Sequence, residues 1–380
     1  MNRGGNELGP VQAVLNRQKP GRIVYAPNYW QWFEHHKNHG LPPEIAHCQS
    51  QSDLIHYLGL DLFSRNIYCD PQRYWFGGLC DVVWNGVEYS ETETWSGEDR
   101  VYDRTYRTPK GTLTERLRYV MDQSTLVQEQ FLVNDPASQL DVFEALVCAR
   151  RWRFNSTRYR ALAHGRDCVV AGELFSPLKL LHLAMNPVEA CYLLADDPAR
   201  ARVLLDAHEA AMLDLAEQIA SAGVRVMMSM DNLDTMFHPP RLVEQCSAQF
   251  YERASRIAHE HGSLFFIHAC GKQKKNLPLI ASLGVDGLEG VAYPSLGDVE
   301  LDEAMALAGD RLIITGGISA MEYERLSTPR EVFQYTENLF RRMAPFAHRF
   351  VLSASCNTPF TAPWEMLKYF RDAWLEYGAL

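Results

Sequence analysis

One histidine and two cysteines follow apolar runs of this chain and carry atoms that bind a soft metal ion. His268 and Cys270 stand near the end of the run 263–271, and Cys356 follows a second run, 350–355. In an extended strand, residues i and i+2 project from the same face, so His268 and Cys270 can bind one ion together. Zinc selects nitrogen and thiolate ligands, and three protein ligands leave one coordination position open for chemistry. The alternative is a buried histidine with two small apolar thiols, the usual environment of free cysteine.

Size, charge and cysteine content limit the class of protein. The chain has 380 residues, 47% hydrophobic and 22% charged, which is the balance of a globular protein with a large core. Its formal net charge of −10 argues against nucleic acid or an anionic membrane as a partner. The nine cysteines are scattered and odd in number, unlike a secreted disulfide framework. The first residues lead into no apolar segment that predicts a signal peptide or membrane span, so we expect a cytoplasmic protein.

From about residue 165 the sequence alternates between short β-rich runs and longer amphipathic stretches. Strands are predicted at 168–172, 224–230, 264–268, 285–289, 311–317 and 350–355. Helices are predicted at 178–185, 197–222, 240–261, 276–283, 301–308, 329–343 and 363–377. Such alternation indicates parallel strands joined by right-handed crossovers. The candidate site residues all follow strands, and the sequence has no phosphate-binding glycine motif, so we predict a (β/α)8 TIM barrel over an open doubly wound sheet.

The first 160 residues have a different pattern. The segments 68–76 and 82–89 look like short strands or hairpins, and 108–113 looks like a turn between two strands. We therefore predict an N-terminal subdomain over residues 1–160, and the main part of the barrel with the metal site over 161–380. A small antiparallel insertion of the subdomain is expected to lie over the barrel mouth.

The N-terminal part is rich in aromatic side chains. Those considered as substrate-binding residues are Tyr29, Trp30, Tyr74, Trp75 and Trp84. One interpretation is that these rings form a stacking wall for a flat substrate or cofactor at the barrel mouth. The other is that they pack in the core of the subdomain.

Several segments resemble the uroporphyrinogen decarboxylase superfamily, and within it the zinc-dependent, corrinoid-linked methyltransferase branch. These segments are LLADDPARARVLLD from Leu193, FFIHACGK from Phe265, SLGVDGLEG from Ser282, LIITGGIS from Leu312 and SASCNTPFTAP from Ser353. The resemblance runs with gaps from about Cys168 to the C-terminus, and it implies a (β/α)8 barrel. The branch carries zinc on a His-x-Cys pair and a distant cysteine, which fall on His268, Cys270 and Cys356.

The sequence departs from the decarboxylases themselves at two places. Those enzymes carry an Arg-Gln-Ala-Gly-Arg-like segment that binds the acidic substrate, whereas the nearest counterpart here, residues 26–34, contains no arginine. A substrate with many carboxylates needs guanidinium partners. The decarboxylases also have a Gly-His-Gly-like segment where this chain has Ala354-Ser355-Cys356. Haem biosynthesis is therefore not the expected function.

Polar residues after two neighbouring strands complete the predicted site. Glu289 ends the strand after the His-x-Cys pair, so it is a candidate fourth ligand and catalytic residue, with a surface glutamate as the alternative. Asp231 is the other catalytic candidate, expected to orient the substrate or a metal-bound histidine. Asp234 and His238 are candidates for substrate contact. The alternatives are a solvated carboxylate or helix cap for the two aspartates, and a solvated histidine for His238.

With these residues in place, the resemblance implies a zinc-dependent methyltransferase. Zinc has no redox role, so it serves as a Lewis acid or holds a thiol as its thiolate. We expect methyl transfer between a small-molecule donor or thiol acceptor and a corrinoid, with O-demethylation of an aromatic methyl ether as one form. The sequence has no Asp-x-His-x-x-Gly corrinoid motif, so the corrinoid is expected on a partner protein. The alternatives are a uroporphyrinogen decarboxylase-like lyase that needs no metal, and a non-catalytic barrel subunit.

Overall fold

The computed structural model of the protein describes residues 9–64, 78–163, 168–294 and 296–380. Its strands, in chain order, are β1 (Val24–Tyr25), β2 (Leu62–Ser64), β3 (Cys80–Trp84), β4 (Glu88–Ser96), β5 (Asp99–Thr108), β6 (Gly111–Val120), β7 (Thr125–Gln130), β8 (Arg150–Phe154), β9 (Cys168–Leu174), β10 (Val226–Ser229), β11 (Leu264–His268), β12 (Gly287–Val291), β13 (Ile313–Ile318) and β14 (Phe350–Ala354).

The helices of these ranges lie mainly after the barrel strands. They are α1 (Pro10–Leu15), α2 (Trp30–His39), α3 (Gln51–Tyr57), α4 (Pro136–Ala149), α5 (Ser156–Ala163), α6 (Pro177–Ala184), α7 (Pro187–Asp196), α8 (Pro198–Ser221), α9 (Pro240–Cys246), α10 (Ala248–Glu260), α11 (Leu277–Ser282), α12 (Leu301–Leu307), α13 (Glu322–Arg325), α14 (Pro329–Met343) and α15 (Trp364–Tyr377). None of the helices in the described part of the chain has the length and apolar character that crossing a bilayer requires.

Eight strands form one parallel sheet that curves into a nearly closed barrel. Their order is β1-β14-β13-β12-β11-β10-β9-β2. The first and last strands of this order, β1 and β2, come together at Tyr25 of β1 and at Asp61, the residue before β2. The backbone N–H of Asp61 donates to the carbonyl of Tyr25 at 3.0 Å, and the Asp61 carboxylate accepts from the N–H of Tyr25 at 3.0 Å. The predicted TIM barrel is confirmed.

The barrel strands are apolar because both of their faces are covered. Every residue of β11, β12 and β14 is buried. Side chains fill the inside of the barrel, and amphipathic helices such as α10 and α14 cover its outside. Strands buried on both sides have continuous apolar runs, which is why the sequence shows them clearly.

The last six barrel strands lie within two residues of their predicted bounds. The helix predicted over 240–261 is instead two helices, α9 and α10, because Ser247 between them has a φ of −130° and leaves the helical region. The first two barrel strands belong to the N-terminal 64 residues. They are two and three residues long, too short to show a strand period in the sequence.

An antiparallel insertion lies between the second and third barrel strands. β4, β5, β6 and β7 form a four-stranded sheet, and β3 pairs with β8. The turn predicted at 108–113 joins β5 to β6, where Thr108 pairs with Gly111. The strand predicted at 82–89 is divided, because Val82 pairs with β8 whereas Tyr89 pairs with β5. The segment predicted at 68–76 lies outside the described residues.

Candidate metal centre

The barrel brings His268, Cys270 and Cys356 to one point at its mouth. β11 ends at His268, and Cys356 follows the end of β14 by two residues. One ligand atom from each of the three side chains lies within 4.8 Å of the other two. Nε2 of His268 is 3.7 Å from Sγ of Cys356. The three predicted ligands therefore form one cluster, although two strands separate β11 from β14 in the sheet.

Gly290 makes room for this cluster. Its φ is +95°, and a Cβ at this position would lie 2.7 Å from the carbonyl oxygen of Ser355 and 3.1 Å from Cε1 of His268. A residue with a side chain would push the imidazole away from the segment that carries Cys356. The glycine at the end of β12 is thus required for the close approach of the two ligand segments.

The donor set fits zinc, and a bound cation would stabilise the close approach of the two sulfur atoms. The neighbouring thiol of Cys270, together with burial, raises the pKa of Cys356 to about 12. Without a cation the side chain of Cys356 is therefore a neutral thiol at pH 7. A bound dication reverses this balance, because a coordinating thiol loses its proton. One imidazole and two thiolates form a zinc-type site with a position open for a substrate.

Glu289 lies against the imidazole of His268. The two residues are in register on neighbouring strands, and a carboxylate oxygen of Glu289 contacts Nδ1 of His268. The other ring nitrogen, Nε2, faces Cys356. Metal-bound histidines usually donate their second N–H to such an acceptor. Glu289 is thus placed to orient the ring of His268, a role that the sequence analysis considered for Asp231, and its expected role as a fourth ligand stays a prediction.

Asp231 holds the ends of β9 and β10 together. Its side chain is buried and accepts hydrogen bonds from the backbone N–H of Ser176 at 2.9 Å and from Oγ of Ser229 at 3.0 Å. The hydroxyl of Tyr251 donates to the same carboxylate. Asp231 therefore fixes the loop after β9, and it is not the solvated carboxylate considered as the alternative.

Asp234 shapes the loop that carries Cys270. Its carboxylate accepts from the backbone N–H of Lys272 at 3.0 Å and of Met236 at 2.7 Å. Gly271 has a φ of +92°, and a Cβ there would lie 2.0 Å from Oδ2 of Asp234. The carboxylate occupies the space that the missing side chain leaves. The contacts of Asp234 are thus with the protein backbone, whereas the sequence analysis expected contact with the substrate.

Asn232 is a site residue that the sequence analysis missed. Its Nδ2 donates to Sγ of Cys270 at 3.3 Å, and its Oδ1 accepts from Nζ of Lys179 at 3.3 Å. Its φ of +50° lies in the left-handed region, which asparagine tolerates better than most residues. The only signal in the sequence was an asparagine directly after a strand, which on its own predicts no more than a turn.

Asn28 supports the other ligand segment. Its Nδ2 donates to the carbonyl oxygen of Cys356 at 3.2 Å and to Oδ1 of Asn357 at 2.6 Å. The backbone N–H of Thr358 donates to the carbonyl of Asn28 at 3.0 Å. The loop after β1 therefore positions Cys356. Asn28 lies in the segment that carries arginines in the decarboxylases, and here it binds the protein itself.

His238 is buried and lies against the half-buried His182. The ring centroids are 5.4 Å apart, and burial lowers the pKa of both, that of His182 to about 4. Nδ1 of His238 and Nε2 of His182 have no hydrogen-bond partner within the described ranges. His238 is 7% exposed, so it is not the solvated histidine considered as the alternative. Both rings are neutral at pH 7.

The residues predicted to form an aromatic wall do not all lie in one place. Tyr29 is fully buried with its hydroxyl 3.1 Å from that of Tyr25, and Trp30 is buried at the start of α2, so both pack in the core. Trp84 is half-buried and lines a cavity beside the insertion. Tyr74 and Trp75 lie outside the described residues.

Comparisons with known proteins agree with the barrel. Residues 152–377 match the family model described as Uroporphyrinogen decarboxylase (URO-D), which covers more than half of the chain and all three cluster residues. No curated protein matches the chain. A solved structure described as a methyltransferase from Methanosarcina mazei has a TM-score of 0.60 and 14% identity, with 97% of this chain and 98% of that chain covered. At this identity the likeness is one of fold.

A second solved structure is less similar. D-psicose 3-epimerase from Clostridium cellulolyticum H10, solved with D-tagatose, has a TM-score of 0.35 and 11% identity. The alignment covers 59% of this chain and 82% of that chain. It adds nothing to the assignment of the site.

Proposed function

The chain belongs to the uroporphyrinogen decarboxylase family, and we propose that it is a methyltransferase whose zinc site is formed by His268, Cys270 and Cys356. It transfers a methyl group between a small-molecule donor or thiol acceptor and a corrinoid carried by a separate protein. The observation that carries this proposal is the cluster of one imidazole and two thiols at the barrel mouth. The methyltransferase from Methanosarcina mazei has the same fold and is compatible with it.

The residues around the cluster prepare it for a metal. Glu289 holds the ring of His268 with Nε2 toward the thiols. The side-chain N–H of Asn232 donates to Sγ of Cys270, and a hydrogen bond of this kind favours the charged form of its acceptor. Zinc bound here would supply Lewis acidity to a thiol or oxygen of the substrate. The chain's own contribution is a rigid donor set with a fixed ring orientation.

The bonds formed and broken in the methyl transfer can be stated for either direction. With a thiol acceptor, the S–C bond forms as the Co–C bond of the methylcorrinoid breaks, its electron pair stays on cobalt, and the thiol proton passes to solvent. With an ether or alcohol donor, the reduced corrinoid takes the methyl group, and the oxygen keeps the electron pair of the C–O bond and gains a proton. Both are in-line displacements, which depend on positioning of the reacting groups.

The environment of Asn28 argues against the decarboxylase reaction that gives the family its name. Asn28 and the rest of residues 26–34 offer no guanidinium to the carboxylates of a large acidic substrate. The amide of Asn28 instead binds the Cys356 segment. A lyase that acts on such a large acidic substrate therefore lacks the partners that its substrate needs, and a lyase that acts on a smaller acid stays the alternative to the proposed methyltransferase.

Metal analysis of protein purified without added zinc tests the site. We expect about one zinc ion per chain, because three ligands form one site. The His268→Ala, Cys270→Ala double variant should lose it. Cys246→Ala is the matched control, since Cys246 is a buried cysteine of a different core cluster. Near-stoichiometric zinc in the double variant would contradict the proposed ligands.

Methylcobalamin in solution tests the reaction without the partner protein. The zinc-loaded chain should convert methylcobalamin and a thiol to reduced cobalamin and a methyl thioether, or should form methylcobalamin from reduced cobalamin and a methyl ether or methanol. Absorbance spectroscopy measures both conversions. Cys356→Ser should abolish turnover while the circular dichroism spectrum stays unchanged. If neither conversion occurs with panels of thiols and methyl donors, the proposed reaction is wrong.

A further inference from the structure

A cavity of about 430 Å³ lies between the antiparallel insertion and the barrel. Its lining includes residues of β3–β8, α4 and α6. Within the described ranges, none of the three residues of the metal cluster contributes to it. Small-molecule sites typically have volumes of about 300–1,000 Å³, so this cavity is large enough to hold a small ligand.

Aromatic rings and aliphatic side chains form much of this lining. The ring of Trp84 stacks on Tyr89 with centroids 5.8 Å apart, and Tyr106 meets Trp84 edge-on at 5.2 Å. Trp152 also lines the cavity, and Leu180 and Leu183 of α6 add aliphatic surface. Aromatic side chains bind flat rings by offset stacking or edge-to-face contact, so this lining suits a planar ligand.

The carboxylates around the cavity have cationic partners. Glu115 lies 3.5 Å from Nη1 of Arg104 and accepts from the hydroxyl of Tyr106 at 2.6 Å. Asp81 lies 3.5 Å from Nη2 of Arg158. The acidic side chains of the lining therefore form their salt bridges with guanidinium groups other than that of Arg150.

Arg150 is different, because it forms no salt bridge with any carboxylate of the described residues. Its Nη2 lies 3.4 Å from Nδ1 of His208, and its Cζ lies 4.4 Å from the ring centroid of Trp152. Its Nε is buried and has no hydrogen-bond partner in those same ranges. Arg150 thus brings to the cavity a positive charge that Glu115 attracts from beyond salt-bridge distance and that no carboxylate of the described residues contacts directly.

This charge persists at neutral pH. Burial lowers the pKa of Arg150 to about 10, which leaves the guanidinium charged at pH 7. Burial, followed by the charge of Arg150, lowers the pKa of His208 well below its usual value, so the imidazole is neutral and adds no second positive charge. A desolvated charge without a direct ion-pair partner is destabilising, and an anionic ligand in contact with it would reduce that cost.

We propose that this cavity binds a flat aromatic carboxylate, with its ring against Trp84 and Tyr106 and its carboxylate paired with Arg150. The planar guanidinium matches a carboxylate through two parallel hydrogen bonds. A phosphate group fits less well, because Glu115 lies in the same lining and, of the two guanidinium groups there, only that of Arg150 forms no salt bridge within the described residues. The site is separate from the metal cluster, so the proposal holds whether or not the chain transfers methyl groups.

Three probe molecules test the proposal on the unmodified protein. Benzoate has the ring and the charge, benzamide has the ring without the charge, and cyclohexanecarboxylate has the charge without the flat ring. In isothermal titration, benzoate should bind at least about 10-fold more tightly than either of the others, a difference of roughly 1.4 kcal/mol. Equal affinity for benzoate and benzamide, or no binding of benzoate at millimolar concentration, would overturn the proposal.

Two substitutions on one strand locate the site. Arg150→Met should weaken benzoate binding at least about 10-fold and leave benzamide binding unchanged, since it removes the charge and keeps most of the side-chain volume. Arg153→Met is the control, because Arg153 is exposed on the same strand. Unchanged benzoate affinity in Arg150→Met would refute the site.

Thermal melting separates ligand binding from a structural role of Arg150. Arg150→Met should melt at the same temperature or higher, because an unpaired buried charge is lost. Arg150→Lys keeps the charge and loses the planar fork, so benzoate affinity should be intermediate. A large fall in the melting temperature of both variants would show that Arg150 stabilises the fold and would overturn the proposal.

Discussion

A carboxylate oxygen of Glu289 contacts Nδ1 of His268, and the two residues are paired in register on neighbouring parallel strands. Both side chains are buried, with exposures of 7% and 1%. The contact directs Nε2 of His268 toward Cys356. The orientation of the imidazole is therefore set by the register of the two strands.

Removal of the Glu289 carboxylate should weaken the metal site without dismantling it. We expect Glu289→Ala to lower zinc affinity about 10–100-fold, the effect of losing a partner that orients a metal-bound histidine. Glu289→Gln should have a smaller effect, because its amide oxygen can still accept from Nδ1. Competition with a chelator measures the affinity. X-ray absorption should show the same metal ligands in both variants, and loss of one oxygen neighbour would instead identify Glu289 as a ligand.

Two substitutions at Asn232 should distinguish the effect of its side-chain hydrogen bond from the effect of its backbone conformation. Asn232→Gly and Asn232→Ala both remove the hydrogen bond to Sγ of Cys270, so both should lower zinc affinity. Only alanine adds strain, because the φ of +50° is unfavourable for it, at a cost of about 1–2 kcal/mol. Chemical denaturation should therefore show Asn232→Ala as the less stable variant. Wild-type zinc affinity in Asn232→Gly would show that the side-chain contact is unimportant.

Gly271→Ala should disrupt the loop of Cys270. The new Cβ would lie 2.0 Å from Oδ2 of Asp234 in a backbone with a φ of +92°, so the loop must move. We expect zinc content to fall below half of the wild-type value. Gly262→Ala is the control, because its φ of +73° imposes similar backbone strain with nothing within 4 Å of the new atom. Equal zinc loss in both variants would mean that general instability, not the loop, is responsible.

The pair of half-buried His182 and buried His238 predicts a loss of stability in acid. The pKa of His182 is about 4 in the folded protein and about 6.5 when unfolded, so below pH 6.5 the unfolded state binds a proton that the folded state does not. The free energy of unfolding therefore falls as the pH decreases from about 6.5 to 4. The shift corresponds to at most about 3 kcal/mol, and the partial exposure of the ring reduces this to about 1–2 kcal/mol.

Denaturant melts between pH 7 and 4.5 measure this effect. His182→Gln should lose less stability on acidification than the wild-type protein. The same substitution at the exposed His56 is the control and should leave the pH dependence unchanged. An unaltered pH dependence in His182→Gln would place the acid sensitivity at other groups.

The sequence by itself determined the barrel class and the order of its last six strands. Their apolar runs are continuous because both faces of each strand are buried, and this pattern is local along the chain. The sequence also singled out His268, Cys270 and Cys356, because each follows such a run and because their order resembles the family pattern. Both kinds of signal depend only on neighbouring residues and their spacing.

The tertiary structure decided which side chains meet. The contact of Glu289 with His268 follows from the register of β12 on β11, which pairs the two residues. The contact of Asn232 with Cys270 depends on a left-handed backbone that no periodicity reveals. β1 and β2 were too short to recognise, and Trp84 was placed by strand pairing in the insertion. These outcomes depend on contacts between distant segments, which form only when the barrel closes and brings its strand ends together.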